Sequence, residues 1–132
     1  MNPINYKLDV IPSPEAVMEL YADAGLRRPE DRDRIMRMYS HSNLVVTAWD
    51  KDRLVGVARA LTDFCFCCYL SDLAVRKQYQ HHGIGRELIR LTKEKIGDES
   101  MLLLLSAPAA MEYYPKVGMS KVENGFIIQR MK

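Results

Sequence analysis

The residues best suited to chemistry lie in one run, Asp72-Leu73-Ala74-Val75-Arg76-Lys77-Gln78-Tyr79-Gln80-His81-His82-Gly83-Ile84-Gly85-Arg86. Its first part reads as the end of a β-strand. A short loop follows, and two glycines open a helix. The first amides of a helix have no internal acceptor. Their dipoles sum to a partial positive charge at that end. Glycines there let a phosphate come within hydrogen-bonding distance of the backbone. The turn is therefore suited to an anion, and a pyrophosphate fits it naturally. A plain glycine-containing strand-to-helix connection is the competing reading. Two standard phosphate motifs do not match. The dinucleotide fingerprint needs Gly-x-Gly-x-x-Gly, and only Gly83-x-Gly85 is present; the P-loop pattern is absent. What remains is Gln-x-x-Gly-x-Gly, at Gln80, Gly83 and Gly85.

The elements that must position this turn can be read along the chain. Tyr6 to Ile11 alternates as a short strand. Ser13 then precedes Pro14 and Glu15, an N-cap followed by proline at the first helical position. Val17, Met18, Leu20 and Tyr21 form an apolar stripe, and Gly25 closes that helix. Arg27 to Arg34 carries both charge signs and reads as a loop and the solvated start of a second helix, whose apolar face is Ile35, Met36, Met38 and Tyr39. Leu44 to Trp49 and Leu54 to Leu61 form a hairpin around a polar turn. Phe66 to Val75 is a long third strand of the same sheet. Gly83 to Ile96 is an amphipathic helix with Ile84, Leu88, Ile89 and Leu91 inward. Met101 to Leu105 reads as a parallel strand buried on both faces. Ala109 to Lys116 fits a short helix that Pro115 must end or distort. Gly118 to Val122 and Phe126 to Met131 read as two closing strands joined through Asn124-Gly125.

Composition sets the frame. The 132 residues suffice for one domain, spanning 1–132, and are too few for two ordinary ones. Hydrophobic residues at 48% and charged residues at 27% exclude a disordered or collagen-like chain. Nineteen basic against seventeen acidic residues give +2, too weak a field to argue for nucleic acid or a membrane surface as partner. Met101 to Met111, the longest nearly apolar run, is too short to cross a bilayer. The first residues lack the basic-then-apolar order of a signal peptide. Three crowded cysteines, Cys65, Cys67 and Cys68, do not resemble a disulfide framework and read as reduced thiols filling a strand. No second cluster completes a metal site, so no metal is expected. A cytoplasmic location follows.

On these residues the chain resembles the GNAT superfamily of N-acetyltransferases. Gln80-x-x-Gly83-x-Gly85 is similar to its motif A, Arg/Gln-x-x-Gly-x-Gly/Ala. Tyr69 to Val75 resembles the long strand that precedes that motif. Ala110-Met111-Glu112-Tyr113-Tyr114-Pro115-Lys116-Val117-Gly118-Met119 resembles the family's Ala-x-x-Phe-Tyr-x-Lys-x-Gly-Phe segment. The resemblance covers nearly the whole chain. It implies an α/β domain with a mixed, mostly antiparallel twisted sheet of about six to seven strands flanked by about four helices.

It also implies acetyl-coenzyme A as the donor. Its pyrophosphate would sit on the amides of His81, His82, Gly83, Ile84, Gly85 and Arg86, next to Gln80. Its pantetheine arm would pair like an extra strand with Leu73, Ala74 and Val75, in a splay beside Leu103 to Ser106. Arg76 and Arg86 could add charge to the phosphates. The implied chemistry is direct attack of a neutral amine, on a small molecule or a protein, upon the thioester. A strand amide near Val75 would steady the developing oxyanion, and Tyr114 would donate a proton to the leaving thiolate. Tyr113 is expected in the core. Asp72 is the first choice for general base, because a carboxylate buried among apolar neighbours carries a raised pKa; pairing with an arginine such as Arg59 is the ordinary alternative. Asp63, Glu112 and Glu123 are further candidates. The chain departs from the family pattern at Ala107, Pro115 and Met119. A homodimer through the C-terminal strands is expected by analogy. Two other readings compete: a non-catalytic coenzyme-A-binding regulatory module of the same fold, and a plain interaction domain.

Overall fold

A computed structural model describes residues 3–132. The first two residues, which open the stretch that shows no targeting order, lie outside it. Strand β1 is short, Asn5–Lys7. Helix α1 spans Pro14–Ala24; the Ser13 hydroxyl accepts from the Ala16 amide at 3.1 Å, and Gly25 closes the helix in the left-handed region at φ 76. Helix α2, Arg32–Ser40, is capped by Asp31, whose carboxylate accepts the amides of Asp33 and Arg34. Strands β2 (Leu44–Asp50), β3 (Arg53–Thr62) and β4 (Cys67–Val75) follow. Helix α3 is Ile84–Ile96, β5 is Met101–Leu103, and α4 is Tyr113–Lys116.

The sheet order is β1-β2-β3-β4-β5. Neighbours are antiparallel as far as β4, and β5 runs parallel to β4 after the α3 crossover. Strand side chains alternate between the two faces, so each face has its own core. On one, Val17, Leu20, Tyr21, Ile35 and Tyr39 from α1 and α2 pack on Val45, Val57 and Ala74. On the other, Ile84, Leu88, Ile89 and Ile96 of α3 pack on Val46, Val55, Ala58 and Leu70. The class is therefore the expected mixed α/β sheet with helices on both faces.

Four details differ from expectation. Gly118 to Val122 and Phe126 to Met131 form no strands, so the sheet among the described residues has five. The Asn124-Gly125 signal is local; a hairpin also needs a partner surface to bury its apolar face, and none lies beside it. Met101 to Leu105 is not buried on both faces: β5 is a three-residue edge strand, with Met101 and Leu105 exposed. Pro115 does not end a helix. Because α4 begins at Tyr113, Pro115 falls in its first turn, where the missing N–H has no bond to lose. Of the three thiols only Cys68 fills the strand; Cys65 and Cys67 are exposed.

Candidate active site

The separation of β4 from β5 starts with one extra residue. Arg59 faces Asp72 and Ala60 faces Leu70, so Ser71 is bulged out of the β3–β4 ladder. A bulge bends its strand and raises the local twist. The β4–β5 ladder stops just before it, at Tyr69 and Leu103. Beyond that point, among the described residues, the β5 side of β4 has no neighbouring strand. The antiparallel ladder alternates between residues that bond their partner and residues that do not. Arg76 donates its amide to the Val55 carbonyl at 2.9 Å. Counting back by twos, Ala74 and Asp72 also bond β3, whereas the main-chain groups of Leu73 and Val75 turn toward the gap. The Gln80 side-chain amide confirms the direction by donating to the Val75 carbonyl at 2.9 Å. Ala74 thus contributes no main-chain group to the gap.

At the C-terminal end of this gap lies the glycine turn. Gly83 is the N-cap of α3, at φ 83, and no side chain caps the helix. The Glu87 amide closes the first helical bond on the Gly83 carbonyl. The amides of Ile84, Gly85 and Arg86 are left as unengaged donors, together with the positive end of the α3 dipole. His81 also adopts the left-handed region, at φ 68, and both His81 and His82 are exposed. A Cβ on Gly83 would meet nothing within 4 Å. Open space, aligned donors and absent side chains fit a pyrophosphate-bearing ligand. The arginines play other parts. Arg76 is buried, with its Nε on the Leu54 carbonyl and its Nη2 on Glu19. Arg86 stays exposed and donates to the Lys116 carbonyl.

Asp72 is fully buried behind the bulge. Arg28 Nε donates to one carboxylate oxygen at 2.6 Å and Arg59 Nε to the other at 2.7 Å. The Tyr21 hydroxyl donates at 2.6 Å and the Ser71 hydroxyl at 3.1 Å. Burial alone would raise the Asp72 pKa. The bond and charge of Arg59 outweigh it, aided by Tyr21 and Arg28, and the carboxyl is held below its usual range. The raised pKa expected for a base is thus corrected, because two guanidinium groups replace the water that burial removes. Burial and the adjacent Asp72 push Tyr21 far upward, and burial raises Tyr39, whose hydroxyl touches that of Tyr21. Arg28, Tyr21 and Tyr39 were not singled out by sequence: Arg28 is one cation in a charge run, and both tyrosines sit in apolar helical stripes. Asp63 turns a tight loop instead of facing the gap. Its carboxylate accepts the amides of Cys65, Phe66 and Cys67, which hold its pKa low.

The adjacent tyrosines of α4 sit edge to face with ring centroids 5.3 Å apart. Tyr114 is half-buried and packs on the α3-side core. Burial, then Tyr113, raises its pKa, so its hydroxyl keeps its proton at neutral pH. Tyr113 was expected in the core and is instead 37% exposed. Its hydroxyl oxygen lies 2.6 Å from where a Gly85 Cβ would stand. The glycine therefore makes room for a tyrosine at the mouth of the turn. On the opposite face of the sheet, Met18, Tyr21, Ala22 and the loop Gly25 to Glu30 line an open groove of about 990 Å³. Arg28 closes its floor, bonding both Asp72 and the Ser71 carbonyl. An open cleft beside one edge of β4 and a groove on the α1 side thus approach the same strand from two directions.

Comparison with known proteins bears on this arrangement. Residues 14–119 match the model of the Acetyltransferase (GNAT) family. The chain belongs to that family. A ycf52-like uncharacterized N-acetyltransferase of Prochlorococcus marinus is 28% identical over 91 residues, 64% of this chain and 51% of that protein. The chain thus spans about half the length of that curated relative. The solved structure of SA2161, a Staphylococcus aureus protein of unknown function, superposes with a TM-score of 0.83 at 27% identity, covering 97% of this chain and 100% of that one. The fold is also that of AAC(6')-Iy, solved in complex with a bisubstrate analogue of coenzyme A. There the TM-score is 0.73 at 12% identity, over 99% of this chain and 100% of that one.

Proposed function

We propose that the chain transfers an acetyl group from acetyl-coenzyme A to a primary amine on a small molecule or a protein in the cytoplasm. The observation that carries this reading is the continuity of the open β4 edge at Leu73 and Val75 with the uncapped amides of Ile84, Gly85 and Arg86. One end suits a pyrophosphate and the other suits an amide-bearing arm. The coenzyme supplies an acetyl group activated as a thioester. Leu73 and Val75 hold the arm by main-chain bonds, and the Val75 amide is placed to donate to the carbonyl oxygen as charge develops on it. His81, His82 and Gly83 serve through backbone shape, and Gln80 braces the Val75 carbonyl.

Tyr114 donates its proton to the departing sulfur. The amine must lose a proton to attack, and Asp72 is poorly suited to take it because its lone pairs are engaged by Arg28, Arg59 and Tyr21. In this reading Asp72 fixes the bulge and the floor of the groove, and the proton leaves through solvent. The new C–N bond forms as the C–S bond breaks.

A thermal-shift assay with acetyl-coenzyme A and with coenzyme A tests the binding half of the proposal. Both should stabilise the fold, by RT ln(1 + [L]/Kd). No shift with either ligand removes the reading. Release of thiol across a panel of amines tests the chemical half. A shift without thiol release from any amine would favour the non-catalytic coenzyme-A module.

A further inference from the structure

The groove on the α1 side of β4 carries more positive charge than its neighbours cancel. Arg28, in its floor, has five N–H groups. Its Nε bonds Asp72, Nη1 bonds the Arg27 carbonyl and Nη2 bonds the Ser71 carbonyl. One N–H on each Nη is left over, and the side chain is 27% exposed where it lines the groove. Behind it Arg59 is fully engaged, bonding Asp72 and the hydroxyls of Ser42 and Ser71. The two guanidiniums share the single carboxylate of Asp72, and burial keeps the Tyr21 and Tyr39 hydroxyls neutral. The cluster therefore holds one positive charge in excess, in a place that water screens poorly. Arg27 adds another from the rim, and its exposed side chain has no partner among the described residues. Glu30, the one acidic group in the lining, is exposed to solvent. Met18, Leu26 and Pro29 make the rest of the wall apolar.

We propose that this groove selects an acceptor amine that also carries a carboxylate, a small amino acid in the broad sense. The inference rests on the transfer reading above and names the substrate class for it. The carboxylate pairs with the free N–H groups of Arg28, which can grip it with two bonds, and with Arg27. The apolar wall covers the carbon stem. The Ser71 carbonyl that holds Arg28 stands two residues before Leu73, roughly 6–7 Å along the strand. A molecule anchored at Arg28 thus reaches the open edge of β4 with its amine. A volume of about 990 Å³ suits a small molecule. A polyamine would bring further positive charge to a positive floor and be repelled. In the transfer the amine nitrogen bonds the acetyl carbon as the C–S bond breaks. The sulfur takes the Tyr114 proton, an amine proton leaves to solvent, solvent reprotonates Tyr114, and the carboxylate is unchanged.

The test uses the full chain, acetyl-coenzyme A and matched acceptors: β-alanine, γ-aminobutyrate, lysine and phenylalanine, each beside its carboxamide, with spermidine as an amine lacking a carboxylate. Thiol release gives kcat/KM for each. The best carboxylate should exceed its own carboxamide by about 10–100-fold. Carboxamides used as well as their carboxylates, or release confined to amines without a carboxylate, overturn the inference and leave the transfer reading standing. No release from any amine overturns both. Arg28→Gln removes the excess charge, and the carboxylate-to-carboxamide ratio should fall to within a few-fold of one. Arg27→Gln, at an exposed position, should lower it by several-fold. The ratio compares two acceptors on one preparation, so a partly unfolded variant still reads it. A ratio unmoved in both variants overturns the assignment.

Discussion

Replacing Asp72 with asparagine separates a structural carboxylate from a chemical one. The substitution keeps the shape and can still accept a bond from Tyr21, but it removes the charge that faces Arg59 and Arg28. The Arg59 side chain is only 9% exposed, so water cannot take the place of the lost carboxylate. Removing one partner of a buried ion pair costs about 3–5 kcal/mol. Arg28, at 27% exposure, adds little, because solvent reaches its guanidinium. Against a total stability on the order of 5–15 kcal/mol, the variant should melt roughly 10–20 °C below the parent. Thermal melts followed by circular dichroism, with urea titrations at 25 °C, measure this. The residual turnover of the variant should keep the pH profile of the parent. A loss of stability under about 1 kcal/mol combined with collapse of turnover would refute the reasoning and return Asp72 to the role of base.

Three further outcomes are expected. Gly83→Glu should abolish coenzyme binding by calorimetry, since its carboxylate would stand where the pyrophosphate goes; Gly83→Asn, which tolerates the left-handed backbone at φ 83, should retain most of the affinity. Tyr114→Phe should slow turnover by roughly 100-fold or more while the donor dissociation constant stays within a few-fold, and an unchanged turnover number would take Tyr114 out of the mechanism. The folded-state pKa of Asp72 lies below its unfolded value of about 3.9. Its contribution to stability is therefore complete above that value and is lost as pH falls through the folded pKa. Acid titration of the parent should show a destabilising step below about pH 4 that Asp72→Asn lacks.

What the sequence made legible follows from the range of the forces involved. Ser13, Gly25 and the Gly83-x-Gly85 turn are local devices whose geometry is set within a few residues, and each stands where its spacing predicts. The amphipathic stripe of α3 is equally local. The partners of Asp72 are not: Arg28 and Tyr21 meet it across 44 and 51 residues, and only the packing of α1 and its following loop against β4 reveals them. Apolar strand neighbours alone predict a raised Asp72 pKa, and the distant arginines reverse its direction. Tyr113 and Tyr114 are neighbours in sequence, and which ring packs inward depends on where α4 begins. The Asn124-Gly125 signal failed because a turn sequence supplies a bend but not a surface for the strands to cover.

The three-residue ladder between β4 and β5 has a dynamic consequence. Strands β2 to β4 form a meander of neighbours in sequence, whereas β5 is recruited across the whole α3 crossover and, like the other edge strand β1, is held by a three-residue ladder. In hydrogen–deuterium exchange its amides should lose protection before those of β2 and β3. One wall of the open cleft beside β4 is then an edge strand with a short ladder, and the proposed coenzyme arm lying along it would act as a splint, slowing exchange at Leu102 and Leu103.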